Sequence, residues 1–315
     1  MADRLNSDDV IDILQIFKVI WRGKLLISLI TLLFAIFSIY YALSLPNIYK
    51  SSTLLKVSSD DQQSQLSSIG SQFSGLASMA GINMPLSGDD KVYYVLETLK
   101  SRGFTKILLA RHDFSPKIIA SKDFIRKSNK IIFDDSIYNN KLKVWTREPN
   151  EYREAIPTHL EVHNILMKSF SVGVDKESGF VSLSYSHVSP VFAKEFLNTA
   201  INELNKISKT KDQLESLKAV DYLEKEIEST QQKDIVNSIN SLITMQLKTK
   251  MLSKIKDDYL LSIIDPPYVP EIRSSPNRAI ICIFITLIGG FLGVIIVFFR
   301  HYFQNSKAAS LYSKT

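Results

Sequence analysis

The sequence predicts an α+β membrane protein in which two transmembrane helices flank one exported domain. Two runs that lack Asp, Glu, Lys, Arg and His carry this prediction: LLISLITLLFAIFSIYYALSL at residues 25–45 and AIICIFITLIGGFLGVIIVFF at residues 279–299. Each run supplies the ~20 apolar residues that a helix needs to cross a hydrocarbon core of about 30 Å. The segment between them mixes short strand and helix patterns with one long helical tract.

Each run also has a reading without a membrane span. The first resembles a cleaved signal peptide, but secretory apolar regions are only about 7–15 residues long. It also follows 24 residues that contain four acids, and Ala42-Leu43-Ser44 makes a poor cleavage site. The second run has the composition of a buried core helix, but Arg278 before it and Arg300-His301 after it favour a span.

Charge next to the spans predicts their orientation. Basic residues lie close to the outer ends of both runs, at Lys18, Arg22, Lys24, Arg300, Lys307 and Lys314. The positive-inside bias places such short basic ends in the cytoplasm and allows the long middle segment to be exported. Half of the formal net charge of +6 lies in these ends, so the sequence pI of 9.1 does not indicate nucleic-acid binding. The single cysteine, Cys282, lies in the second run, so the exported domain forms no disulfide.

These observations divide the chain into five segments. We predict a cytoplasmic segment at 1–24, spans at 25–45 and 279–299, an exported domain at 46–278 and a cytoplasmic tail at 300–315. Within the exported domain, a base is assigned to about 46–188 and 260–278, and a helical arm to about 189–259.

Alternating apolar residues predict a small sheet in the base. A strand follows the first span at residues 49–58, and a hairpin joins residues 170–174 to 180–185 through a turn at 176–179. We expect all three strands to pair. Helices are predicted from an apolar stripe at residues 92–99, at residues 104–110 and from Pro157 onward. The sequence pattern at residues 113–150 does not predict the order of helices and strands in this region.

The arm is predicted from a tract without Pro or Gly that begins at Ser189-Pro190 and runs to about Ile264. Ser189 suits the N-cap and Pro190 the first helical position. Apolar spacing thins between Asn205 and Ser216 and lapses at residues 229–233, which indicates two or three helices. The sequence predicts no second helix of comparable length to cover the long one, so we expect self-association along its apolar stripe.

A charge-free segment at residues 66–84 (LSSIGSQFSGLASMAGINM) has two open readings. It is typical of a flexible surface loop. Its apolar content beside a span also fits a loop that lies against the membrane or against a neighbouring subunit.

The sequence offers no pattern that argues for catalysis, a cofactor or a metal. It contains neither a phosphate-binding Gly-x4-Gly-Lys loop nor a Gly-x-Ser-x-Gly elbow. His159 and His163 share a helix face, but the glutamate does not directly follow the first histidine, so we interpret both as surface residues. Carboxylate pairs such as Asp134-Asp135 and Asp257-Asp258 are typical of solvated faces.

The segment before the second span is IDPPYVPEIRSSPNR at residues 264–278. It resembles the membrane-proximal proline motif of the polysaccharide co-polymerases, the Wzz chain-length determinant family. Pro267, Pro270 and Pro276 keep a spacing of three, Pro266 stands beside them, and Arg273 replaces a further proline. Such spacing favours an extended, stiff backbone. Residues 99–102, 179–193 and 246–252 are also similar to the family, in the same order.

The resemblance implies a non-enzymatic regulator of polysaccharide chain length in the bacterial inner membrane. It implies a periplasmic α/β base with a helical arm, assembled as a homo-oligomeric ring. The partners would be a separate membrane polymerase and a lipid-linked glycan, most commonly the O-antigen of lipopolysaccharide. Capsule or exopolysaccharide export is the alternative within the family, with or without a separate kinase. A two-span sensor is disfavoured because only about 16 residues follow Phe299.

Three glycines in the second span form its candidate packing site. Gly289 and Gly293 are four residues apart and Gly290 lies between them. Small residues at this spacing allow close helix approach in lipid. The alternatives are glycines without such a role, packing against the first span, and packing against the polymerase.

Overall fold

The computed structural model describes residues 19–58, 88–175, 177–229 and 232–312, and for residues 88, 89 and 302–312 it describes the backbone only. The segment at 66–84 therefore lies outside the described residues. The chain divides into two compact units. One comprises residues 1–47 and 275–315, and the other comprises residues 48–274.

The first unit is built on two apolar helices, α1 (Lys24–Ser44) and α8 (Arg278–Tyr312). Both are long and apolar enough to cross a membrane, by length and composition. Arg278, at the start of α8, donates to the Leu45 carbonyl and to Asn47 Oδ1, each at 3.2 Å. It thereby binds one of the carbonyl oxygens that the end of α1 leaves without a helical partner.

The second unit contains a four-stranded antiparallel sheet in the order β6-β7-β1-β8. Its strands are β1 (Tyr49–Val57), β6 (Phe170–Val174), β7 (Val181–His187) and β8 (Leu261–Asp265). The predicted hairpin and its pairing with β1 are confirmed. Leu55, Leu183 and Tyr185 point to the same buried face, as period-2 alternation requires.

Four short helices and the start of a long one surround the buried face of this sheet. They are α2 (Gly88–Lys100), α3 (Arg102–Arg111), α4 (Ser115–Ile119), α5 (His159–Ser169) and α6 (Pro190–Ser229). The break between the helices predicted at residues 92–99 and 104–110 falls at Ser101, whose hydroxyl caps α3 by accepting from Phe104 N. Helix α5 begins after Thr158, which caps it in the same way, rather than at Pro157.

Residues 113–150, which the sequence pattern left unordered, form α4 and two small hairpins. These are β2 (Ser121–Ile125) with β3 (Lys130–Phe133), and β4 (Tyr138–Asn139) with β5 (Val144–Trp145). Strands of two to five residues are too short to show a clear sequence period.

The arm is a helical hairpin of α6 and α7 (Lys233–Ile255). The predicted cap is present, because Ser189 Oγ accepts from Phe192 N at 3.2 Å. The first half of α6 packs against β1 and β7, and a second apolar cluster joins the outer half of α6 to α7. This cluster contains Ala219, Leu223, Ile239 and Leu242.

The expectation for the end of the helical tract is wrong. The tract does not reach Ile264: α7 ends at Ile255, and Leu261–Asp265 forms β8 at the edge of the sheet. The expectation that α6 lacks a partner is also corrected, since α7 covers its outer half. Short apolar runs fit helix and strand equally well, and here pairing with β1 decides the outcome.

His187, at the end of β7, gives the second unit a pH-dependent stability. Its Nδ1 accepts from Ser189 N at 3.0 Å, so Nε2 carries the proton and donates to the Lys117 carbonyl at 2.9 Å. Burial lowers the pKa of His187 from 6.5 to about 4. Burial also lowers the pKa of His163, which acts in the same direction.

We expect the free energy of unfolding to fall as the pH drops from about 6.5 toward about 4, because only the unfolded state binds the proton in this range. The His187 contribution is on the order of 3 kcal/mol. Urea unfolding of the purified chain at pH 7 and pH 5 measures most of this contribution. His187→Gln keeps a donor and an acceptor without titrating, so it should reduce this slope; an equal slope in both proteins would contradict the assignment.

Candidate functional site

The proline segment, which follows β8, runs beside β1 but does not form the regular backbone hydrogen bonds of a strand pair. Thr53 Oγ1 donates to the Asp265 carbonyl at 2.6 Å, and Ser51 Oγ donates to the Tyr268 carbonyl at 2.7 Å. Ser274 N donates to the Ile48 carbonyl at 2.8 Å. Proline has no N–H to donate, which ends β8 at Asp265. Buried hydroxyl groups of β1 then bind the carbonyls of the segment that follows.

The four predicted prolines occupy different environments. Pro267 and Pro270 are buried and Pro266 is exposed. A spacing of three returns to the same side of an extended proline helix, which accounts for the burial of Pro267 with Pro270. Pro276 belongs to the first unit and follows a cis peptide bond. The structure therefore places three of these prolines together along the second unit and one in the other unit.

One buried amide that sequence reasoning missed binds the return strand to the arm. Asn205, in the middle of α6, is 5% exposed. Its Oδ1 accepts from Leu260 N at 2.9 Å and from Leu261 N at 2.7 Å, and its Nδ2 donates to the Leu261 carbonyl at 3.0 Å. The start of β8 is thus held by three hydrogen bonds from a single side chain.

Further polar contacts follow Asn205 along α6. Tyr259 donates its hydroxyl to Asp212 Oδ2 at 2.7 Å, Lys209 Nζ donates to the Lys256 carbonyl at 3.3 Å, and Gln213 Nε2 donates to the Ser253 carbonyl at 3.4 Å. We call Asn205, Lys209, Asp212 and Gln213 the polar seam. The apolar stripe of α6 thins at these positions because their polar side chains bind backbone groups or, for Asp212, a tyrosine hydroxyl, within residues 253–261.

The candidate glycines of α8 lie against α1. A β-carbon at Gly289 would overlap the Phe34 side chain at its base, and one at Gly293 would lie 3.2 Å from Ile27 Cα. One at Gly290 would meet only Thr31 Oγ1, at 3.6 Å. Gly289 and Gly293 thus sit where α1 comes closest, whereas Gly290 has room for a methyl group. Their role in function stays a prediction.

The arm exposes apolar side chains along both of its outer edges. On α6, Leu214 and Leu217 are 55% and 46% exposed, and we call them the first edge. The second edge comprises Leu247, Met251 and Ile255 on α7, which recur every four residues and are 43%, 61% and 73% exposed. Each edge lies on the side of its helix that faces away from the other helix.

The two histidines on α5 do not form a pair of surface residues. His163 is buried, and its Nδ1 lies 2.9 Å from Thr105 Oγ1, so this interpretation is corrected for His163. Among the described residues, no group of three or more His, Cys, Asp and Glu side chains is placed to hold a metal ion.

Comparison with known proteins matches a family model to part of the chain. Residues 9–111 match the model of the chain length determinant protein, Wzz. The predicted Wzz resemblance is thereby confirmed. The Wzz match extends over α1, β1, α2 and α3. The proline segment, the polar seam, the arm and the three glycines lie outside it, so their interpretation rests on their own contacts.

Solved co-polymerase structures add two distant likenesses. A full-length bacterial polysaccharide co-polymerase is 14% identical over 94% of this chain and 99% of that one, with a TM-score of 0.43. A fragment of WzzB, the polysaccharide co-polymerase from Salmonella Typhimurium, is 13% identical over 73% of this chain and 100% of that one, with a TM-score of 0.28. At these values neither likeness bears on function. No curated protein matches the chain in sequence.

Proposed function

We propose that this chain is a non-enzymatic regulator that sets the modal length of O-antigen in lipopolysaccharide biosynthesis. The Wzz match carries the proposal, since it supports chain-length regulation in general. The chain would act with a separate polymerase in the inner membrane on a lipid-linked glycan. Both termini would be cytoplasmic and residues 46–278 periplasmic, in agreement with the basic flanks of the two apolar runs.

Deletion of the gene tests this proposal directly. We expect lipopolysaccharide electrophoresis to show a continuous distribution of O-antigen lengths instead of a modal cluster, and expression of the full chain to restore the cluster. An unchanged O-antigen profile with an altered capsule would favour the capsule and exopolysaccharide alternative. Unchanged profiles of both glycans would contradict chain-length regulation.

We also propose that copies of the chain associate through the two edges of the arm. Gln213 contacts the carbonyl of Ser253, so Leu214 on the first edge lies at nearly the same height as Met251 on the second. A contact between two different surfaces is heterologous, and repetition by pure rotation closes a ring. Because the two edges lie at the same height along the arm, neighbouring copies can be related by rotation about an axis parallel to the arm. No shift along that axis is needed.

Exposed leucine, methionine and isoleucine supply the driving force for this contact. Burial of such a side chain contributes about 1.5–3 kcal/mol when it is complete. The second edge alone presents three of them within nine residues. These edges therefore fit a second copy of the same arm, which offers a complementary apolar edge at the same height.

Negative charges on the second edge should dissociate the oligomer. In Met251→Glu with Ile255→Glu, two carboxylates would have to be buried without partners, so we expect subunits to separate. Native mass spectrometry of the detergent-solubilised chain measures the oligomeric state. Leu142→Glu, at a position 70% exposed outside the arm, is the matched control and should leave it unchanged. An intact oligomer in the double variant would contradict the edge contact.

A further inference from the structure

A half-open cleft of about 490 Å³ lies in the second unit, away from the sheet. Three isoleucine side chains form its apolar wall, and Ser136, Arg147, Glu148, Arg153 and Glu161 supply polar groups. Its volume is in the range of small-molecule sites, which is about 300–1,000 Å³. The elements that form it are α4, the β4–β5 hairpin region and α5.

Arg147 and Glu161 form the fixed polar side of the cleft. Arg147 Nη1 and Nη2 donate to the two carboxylate oxygens of Glu161 at 2.5 and 2.8 Å, and its Nε donates to the Ala155 carbonyl at 2.8 Å. Paired charges hold their geometry better than single ones. Hydrogen bonding from Arg147 lowers the pKa of Glu161, which keeps the pair ionised at neutral pH. Each Nη keeps a second N–H for another acceptor.

A turn that carries an exposed tyrosine borders the cleft. The backbones of Asn150 and Arg153 bond to each other at 2.8 and 3.1 Å, and Arg153 lines the cleft. Tyr152, on this turn, is 92% exposed. Because its neighbour Arg153 lines the cleft, the exposed Tyr152 ring is available to a ligand that extends beyond the cleft.

The combined chemistry matches a sugar. A pyranose presents hydroxyl groups that both donate and accept, and an apolar C–H face that packs on isoleucine or on an aromatic ring. Two arginines and two glutamates give the cleft no net charge, so it has no bias toward a strongly anionic ligand. We infer that the cleft binds a short uncharged segment of the glycan whose length the chain is proposed to regulate, an inference that rests on the proposed function.

Trp145 provides a local reporter of binding. Its ring lies 5.8 Å from Arg147 Cζ, and the chain has one other tryptophan, Trp21. In a Trp21→Phe background, tryptophan fluorescence therefore comes from Trp145, which lies next to the cleft residue Arg147. The purified full chain in detergent would be titrated with O-antigen oligosaccharides released by mild acid from the same cells. We expect a saturable change in fluorescence, and none with dextran fragments of the same size.

Tyr152→Ala with Arg153→Ala should weaken this binding at least ~tenfold, since loss of 1.4 kcal/mol is a factor of ten. Tyr93→Ala, at a tyrosine 63% exposed on α2, is the matched control and should bind as the parent does. Absence of a saturable change, or equal affinity of the double variant and the parent, would overturn the inference. If deletion still abolishes the modal cluster in that case, the proposed function stands without the cleft; unchanged glycans after deletion would remove the proposed function instead.

Discussion

Replacing Asn205 with leucine is expected to destabilise the second unit by about 3 kcal/mol. The substitution leaves two buried N–H groups and one buried carbonyl without their partner, and each such group costs about 1–3 kcal/mol. Leucine fills a similar volume, so the effect does not come from a cavity. For a unit of this size the melting temperature should fall by about 6–12 °C. Amide hydrogen exchange at Leu260 and Leu261 should accelerate.

The matched control is Asn202→Leu, at an exposed position three residues earlier on the same helix. It changes helix propensity and polarity in the same way but touches no backbone of β8, so its effect should be within about 0.5 kcal/mol. Equal melting temperatures for the two variants would show that Asn205 does not hold β8. Unchanged exchange at Leu260 and Leu261 would lead to the same conclusion.

Replacing Gly289 with leucine is expected to separate α1 from α8. The side chain would occupy space that the base of the Phe34 side chain now fills, and no rotation of leucine avoids an overlap at its Cβ. Helices in lipid associate through close packing, so a wider spacing removes the interaction itself. In a Cys282→Ser background, disulfide formation between Thr31→Cys and Gly290→Cys measures their approach. We expect Gly289→Leu to reduce the cross-linked fraction at least ~tenfold, which corresponds to about 1.4 kcal/mol.

A functional role of this helix face is tested separately, and the neighbouring Gly290 supplies the control. Gly290→Ala places its methyl group 3.6 Å from Thr31 Oγ1, an ordinary contact, so it should leave the glycan length distribution unchanged. Gly289→Leu with Gly293→Leu should alter that distribution. An unchanged ladder in the double variant would contradict a functional role for this face, and a strong effect of Gly290→Ala would show that the close approach lies elsewhere.

The sheet and the spans could be predicted because their signals are local and periodic. Residues 170–185 alternate on either side of a turn, and the register of the hairpin follows from that pattern. The strand β8 could not be predicted in this way. Its run Leu261–Asp265 is short, apolar and follows a helix, and only its pairing with β1 and its bonds to Asn205 distinguish it from a helical turn.

The helices of the arm could also be predicted from the sequence, but their packing could not. The lapse at residues 229–233 falls between the end of α6 at Ser229 and the start of α7 at Lys233. The thin part of the stripe is the polar seam, where side chains contact backbone N–H and carbonyl groups and the Tyr259 hydroxyl rather than apolar neighbours. Such contacts leave no period in the sequence, because any polar residue of suitable length fits them.

The candidate sites also differ in how far the sequence alone reveals them. The glycines of α8 and the prolines before it are found from composition alone, since their residue types have strong backbone consequences. The cleft at Arg147 and Glu161 joins residues from a region without sequence order to the helix α5. Its residues are 14 positions apart and become neighbours only through the fold.

The surface glycan of a complemented deletion strain tests the central claim most directly. Wild-type chain should restore a modal cluster of glycan lengths. The chain with Met251→Glu and Ile255→Glu, expressed at the same level in the membrane, should leave the continuous distribution of the deletion strain, because regulation is proposed to require the edge-to-edge assembly. A full modal cluster from this variant would contradict the account.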